Sequence, residues 1–245
     1  MSDVVIRVYE PDPAITRALV VVAHPDDIDF GMAGTMAVLT GDGVDVSYCL
    51  VTSGDAGGDD STHTRQERAD IREAEQTAAA LTVGVTDLTF LRWPDGQVEP
   101  TLQLRKALSR VIRERRPDLV ITQSPERNFE RIQASHPDHM AAGEATLRAV
   151  YPDARNPHAF PELLEEGFAP HSVPFVWVGS PTPNLVVDIT DTFDNKIVAL
   201  RSHVSQVGHR EDLEDMMRTW AASNAQVGGL ASGRLGETFR VLNTA

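Results

Sequence analysis

Two short segments concentrate the residues that could do chemistry: Ala23-His24-Pro25-Asp26-Asp27 and Ser135-His136-Pro137-Asp138-His139. Imidazole nitrogen and carboxylate oxygen are donors that zinc accepts, and a hydrolytic zinc site keeps one coordination position for water. Two histidines and one carboxylate make three protein ligands and leave that position open. A metal held this way lowers the pKa of its water from about 15.7 to roughly 7. A neighbouring carboxylate that stays off the metal can then take the water's proton, so His-Pro-Asp-Asp offers both a ligand acid and a base acid. Taken singly, a histidine near a strand end is most often a hydrogen-bonded surface or core residue, and an Asp-Asp pair is most often solvated or a helix cap. The two segments together outweigh that plain reading, because each follows a strand of what reads as one sheet.

The elements that must position them alternate. Residues 18–23 (ALVVVA) form a short all-apolar run, which predicts a strand buried on both faces. Residues 31–39 predict a small-residue helix stopped by Gly41-Asp42-Gly43. Strands follow at 44–51, 87–91 and 118–122, and helices at 64–81, 101–115 and 136–150, the helix at 101–115 ending before Pro117. Such alternation means βαβ units, a parallel sheet and right-handed crossovers. The first histidine segment then lies at the carboxyl end of a central strand, where open α/β sheets place ligands. In the second, a proline at the first helical turn is tolerated, so His136 and His139 should start a helix. Their spacing of three puts them on one face, about 5–6 Å apart at Cβ. Residues 151–174 read mostly as a loop beside the pocket that sets specificity. Strands near 175–178 and 185–189 and helices near 192–207 and 211–224 complete the reading, with no linker to a second domain.

The bulk numbers narrow the function. The 245 residues are 41% hydrophobic and 24% charged, ordinary for a soluble globular chain, and the formal net charge is −14. A surface this acidic repels a phosphate backbone, which argues against nucleic acid as partner. No apolar run approaches 18 residues, so no membrane span is expected, and the N-terminal MSDVVIRVYEPDP lacks an apolar leader core. The expected location is the cytoplasm. One cysteine, Cys49, excludes an intrachain disulfide and a Cys-based zinc site, and its apolar surroundings read as buried filler. His63, His158, His171, His203 and His209 read as surface or loop residues, and Trp93, Trp177 and Trp220 as packing.

AHPDD after the first strand and HPDH opening a later helix resemble the LmbE-like (PIG-L) N-acetylglucosaminyl deacetylases. The resemblance extends to Thr52-Ser53-Gly54-Asp55, Ile71-Arg72-Glu73-Ala74-Glu75, Trp93-Pro94-Asp95-Gly96 and Val187-Asp188-Ile189-Thr190. It implies a single-domain Rossmann-like fold over 1–245, α/β, with a mostly parallel sheet flanked by helices. It also implies one Zn2+ per chain and removal of an acetyl group from a small-molecule N-acetyl amino sugar. Carried onto matching positions, His24, Asp27 and His139 would bind zinc, Asp26 would be general base and then acid, and His136, protonated, would stabilise the oxyanion. Arg72 and Asp95 would contact substrate. Family members often form homo-oligomers, so the resemblance implies that as well. One departure stands out: many members carry Glu directly after the two aspartates, whereas here Ile28 fills that place and Asp29 follows. Asp29 is assigned no catalytic role, only support for the ligands from behind.

Two alternatives share these residues. One keeps the site but cleaves the amide of a thiol-sugar conjugate. The other is a non-catalytic Rossmann-type nucleotide-binding module, against which the first βα turn argues. It places Asp26, Asp27 and Asp29 where a pyrophosphate would need glycines and free N–H groups.

Overall fold

The computed structural model describes residues 5–58 and 62–244. The reading of the N-terminus as leaderless rests partly on residues 1–4, which lie outside that range. Among the described residues no helix is long and apolar enough to cross a membrane.

The chain order is β1 (Arg7–Val8), β2 (Arg17–Val22), α1 (Asp27–Gly41), β3 (Asp45–Thr52), α2 (Arg65–Thr82), β4 (Asp87–Trp93), α3 (Leu102–Arg115), β5 (Leu119–Thr122), α4 (Pro137–Arg148), α5 (Pro161–Glu165), β6 (Phe175–Val178), β7 (Leu185–Asp188), α6 (Phe193–Arg201), α7 (Val204–Val207), α8 (Leu213–Val227) and β8 (Gly236–Asn243). One eight-stranded sheet runs β1-β7-β8-β6-β5-β2-β3-β4. It is parallel except at β8, which pairs antiparallel with β6 and β7. The expected mostly parallel α/β sheet is therefore what forms.

β2 is central because its sequence permits nothing else. Leu19, Val20, Val21 and Val22 are fully buried. Val20 and Val22 pack into the layer containing residues of α1, α2, α6 and α8, while Leu19, Val21 and Ala23 pack with α3 and α4 on the opposite face. The chain leaves β2 towards β3 on one side, and β5 lies on the other. The gap between β2 and β5 is thus the point where the winding direction reverses, and the connections diverge there to leave a crevice. Both histidine segments follow these two strands.

Local signals set the helices. Thr64 caps α2 through a reciprocal capping box with Glu67. Thr101 caps α3, which ends at Arg116 just before Pro117. His136 occupies the N-cap of α4 and Pro137 its first turn, so the helix begins one residue after His136.

Two expectations differ from the structure. Residues 192–207 form two helices rather than one, because the backbone breaks at His203, which turns inward to a buried carboxylate on α1. The 151–174 segment includes α5 and is held on α3: Arg105 pairs with Asp153, and Arg113 donates to the carbonyls of Asp153, Asn156 and Ala159. None of its residues lines the cavity beside Asp27 and His139. β8, to which no expectation is attached, is inserted as a strand between β6 and β7.

Candidate active site

The turn after β2 holds Asp26 at φ 80°, in the left-handed region that few non-glycine residues occupy. This conformation lets the chain reverse directly into α1, with the Asp26 carbonyl already accepting from Phe30 N–H. Asp27 begins the helix. Its Oδ2 accepts from His24 N–H at 2.7 Å and lies 3.3 Å from His24 Nδ1, while its Oδ1 lies 3.0 Å from His139 Nε2. The Asp27 carboxylate therefore sits between the two histidines expected to share an ion with it. The rings of His24, His136 and His139 meet pairwise at 5.0–5.2 Å between centroids.

His24 Nε2 faces the other way, 3.0 Å from Asp95 Oδ1 and 3.2 Å from Asp138 Oδ2. Both carboxylates also accept backbone N–H groups, Asp95 from Ala56 and Asp138 from Gly96 and Val98. Among the described residues, two groups have donor atoms close enough for one ion: His24, His136 and His139, or His24, Asp95 and Asp138. The hydrogen bonding favours the first side of His24. Two acceptor-only carboxylates at Nε2 place its proton there, leaving the Nδ1 lone pair towards Asp27 and His139. Histidine ligands commonly donate their second nitrogen to a carboxylate in this way, which fixes the ring and raises its basicity. The donors present therefore suit a divalent ion on the Nδ1 side of His24, where Asp27 and His139 lie.

The charges agree with that division of labour. Burial disfavours charge on His24, but hydrogen bonds to Asp138, Asp27 and Asp95 outweigh it and raise its pKa to about 12. His139 is also raised against the cost of burial, chiefly by Asp27, which is itself held well below the carboxylate range by the two histidines. Metal-free, the surrounding carboxylates favour positive charge on both rings. Asp26 differs from its neighbour: burial pushes its pKa up to about 6, although Arg72 pulls the other way.

Arg72, expected to contact substrate, is buried in α2. Its guanidinium donates to Pro25 O at 2.7 Å, Gly54 O at 3.0 Å and Asp26 Oδ2 at 3.1 Å. This requires Gly54, at φ 65°, because a Cβ there would overlap the guanidinium. Asp95, the other expected substrate contact, spends both oxygens inside the protein, on His24 and on Ala56 N–H. His136 Nδ1 accepts from Asp138 N–H at 3.2 Å, and its pKa is lowered by burial and by His24 and His139. A ring that accepts through Nδ1 carries its proton on Nε2, which is left to donate.

A cavity of about 500 Å³ adjoins Asp27 and His139. Phe30, Met32 and Trp220 give it an apolar wall, and Gln123, Glu126 and Asn128 polar contacts. Arg131 stacks 3.9 Å over the Trp220 ring at its edge. Trp177 is core, as expected, whereas Trp220 is part of this wall.

The sequence reading missed three contributors. Asp138 is fully buried and joins the two histidine segments. Gln76 is fully buried and accepts from Asp26 N–H at 2.9 Å. His203, expected at the surface, has no exposure and lies 2.8 Å from Asp29. A signal existed for Gln76. It falls four residues after Arg72 and on the same stripe as Ala69, Ala79 and Ala80, a polar side chain on the face that α2 buries.

The GlcNAc-PI de-N-acetylase family (PIG-L) matches residues 19–150 of the chain. A diacetylchitobiose deacetylase of Thermococcus kodakarensis is 32% identical over 95% of this chain and 85% of its own length. A probable N-acetyl-alpha-D-glucosaminyl L-malate deacetylase 2 of Bacillus cereus is 33% identical over 78% of this chain and 83% of its own. The structure of the N,N'-diacetylchitobiose deacetylase from Pyrococcus horikoshii, solved with its inhibitor MPG, superimposes with a TM-score of 0.86 at 32% identity. That match covers 94% of this chain and 84% of that one.

Proposed function

This chain belongs to the GlcNAc-PI de-N-acetylase (PIG-L) family, and we propose that it is a zinc-dependent hydrolase that removes the acetyl group from an N-acetylglucosamine-containing small molecule. In this reading residues 1–245 work as one catalytic domain. The observation that carries it is the separation of two adjacent aspartates: Asp27 lies between His24 Nδ1 and His139 Nε2, while Asp26 is held apart by Arg72.

A divalent ion held by His24, Asp27 and His139 would supply Lewis-acid polarisation and bring the pKa of a water towards roughly 7. The chain's own groups do the rest. Asp26 Oδ2 is occupied by Arg72, which leaves Oδ1 to receive the proton of the attacking water. Its pKa near 6 keeps it ionised at neutral pH yet more basic than an ordinary aspartate. As the water oxygen bonds to the amide carbon, negative charge grows on the carbonyl oxygen, and His136 donates to it from Nε2. Asp26 then returns the proton to the nitrogen, the C–N bond breaks, and acetate and a free amine leave. Asp95 and Asp138 hold the His24 ring. The 500 Å³ cavity beside Asp27 takes the sugar, with Trp220 as an apolar surface for a ring face.

The test is acetate and amine release from a panel comprising N-acetylglucosamine, N,N'-diacetylchitobiose, GlcNAc-malate, GlcNAc-inositol and a thiol-sugar amide. Zinc-dependent release from at least one N-acetyl sugar is expected. Cleavage of the thiol-sugar amide alone would transfer the site to the amidase reading. Tight dinucleotide binding with no cleavage of any panel member would overturn both.

A further inference from the structure

Behind Asp26 lies a line of fully buried polar side chains that the reaction described above does not use: Gln76, Asp29 and His203, each with no solvent exposure. They come from three separate elements, α2, α1 and the junction of α6 and α7. His203 Nε2 meets Asp29 Oδ2 at 2.8 Å, Gln76 Nε2 donates to the same oxygen at 2.9 Å, and Gln76 Oε1 accepts from Asp26 N–H at 2.9 Å. We propose that His203, Asp29 and Gln76 are positioning residues that hold the Asp26 backbone in its left-handed turn and so aim the general base.

The chemistry of the donors makes the line directional. The Asp29 carboxylate accepts from the NH2 end of the Gln76 amide and so sets which way that amide faces. The amide oxygen is then turned onto Asp26 N–H. His203 donates to the same carboxylate oxygen and anchors the far end. A left-handed aspartate persists only where its surroundings over-determine it. Here α2 does this twice on one face: Arg72 grips the Asp26 side chain, and Gln76, one helical turn later, grips its backbone. Burying an aspartate, a glutamine and a histidine is costly, and apolar residues of similar volume would pack a core more cheaply. Their convergence on a single peptide N–H beside the proposed base is what the positioning role accounts for. Asp29 Oδ1 and His203 Nδ1 have no hydrogen-bond partner among the described residues, so the satisfied contacts all lie along the line to Asp26.

The proposal uses the deacetylase reading only for its kinetic arm, and the test has a second arm. Gln76→Met, His203→Ala and His203→Gln are prepared in the full-length protein. Amide hydrogen exchange at Asp26 is measured by NMR, and kcat, KM and zinc content are measured with the best N-acetyl sugar of the panel. In Gln76→Met the Asp26 amide should exchange about tenfold faster or more, as expected for loss of one buried hydrogen bond, with β2 and β5 amides unchanged. kcat should fall about tenfold or more, with KM within about twofold and zinc still bound, because a misaimed base costs turnover rather than binding. His203→Ala should move both readouts in the same direction, and His203→Gln, which keeps a donor for Asp29, should restore most of both. Unchanged Asp26 exchange in Gln76→Met would overturn the proposal, as would a kcat loss that only tracks folded fraction with no recovery in His203→Gln. If the wild-type protein cleaves none of the sugars, the functional reading fails on that result, and Asp26 exchange alone decides this one.

Discussion

Asp26 and Asp27 are chain neighbours with the same side chain, and their contacts give them different chemistry. Asp27 is surrounded by two imidazoles that hold it ionised, while Asp26 is buried beside one guanidinium and keeps a pKa near 6. A base must be ionised to act, so kcat/KM should be lost as pH falls through about 6, and a cation bound next door can only move that limb lower. An acid limb well above 6 would contradict the assignment. Asp26→Asn and His136→Ala should each lower turnover by about a hundredfold or more while leaving the metal in place. Near-normal turnover in Asp26→Asn, with metal content checked, would remove it as the base. His24 tells a different story. In the metal-free chain Asp138, Asp27 and Asp95 keep it protonated up to about 12, so a cation must displace that proton. Calorimetric zinc titrations in buffers of different ionisation enthalpy should show release of about one proton or more. No release would mean that the ion binds elsewhere.

Helix α4 carries His139 into the site, and its approach depends on Gly143, where a Cβ would overlap the carbonyl oxygen of Gln123. Gln123 in turn accepts from Ala23 N–H, so the two histidine segments are registered through it. Gly143→Ala gains up to about 1 kcal/mol of helix propensity but overpacks the contact at about 1–3 kcal/mol. Overpacking should win, with lower thermal stability and weaker zinc binding; an unchanged zinc affinity would show that α4 can shift without cost. The same element shows what a sequence discloses. His136-Pro137-Asp138-His139 was readable because its parts are adjacent and a proline marks the first turn. Arg72 and Asp95 were legible as important positions, but their orientation was not, because inward and outward faces of α2 and of the turn after β4 depend on what packs there. His203 and Gln76 meet Asp29 from 174 and 47 residues away, and no local pattern encodes such a meeting. The strands β2 to β5 follow from short apolar runs that alternate with helical segments. The insertion of β8 does not, since pairing order at a sheet edge is a long-range choice.

At the scale of the molecule, one buried ion pair ties the C-terminal strand to the helix that starts at Asp27. Lys196 on α6 and Glu237 on β8 are almost fully buried and 2.6 Å apart, and Glu237 also accepts from Thr35 N–H and Oγ1 on α1. Removing one partner strands a buried charge, so Lys196→Met should cost about 3–5 kcal/mol in urea denaturation. The double change with Glu237→Leu should recover much of that loss; a double variant no more stable than the single would show that the charge was not the source. The whole arrangement serves one convergence, of residues 24, 27 and 139 at the gap between β2 and β5. Anomalous diffraction at the zinc edge from zinc-loaded crystals tests it directly. The account predicts one strong peak per chain bounded by His24 Nδ1, the Asp27 carboxylate and His139 Nε2. A peak on the Asp95 and Asp138 side of His24, or none near the three side chains, would contradict it.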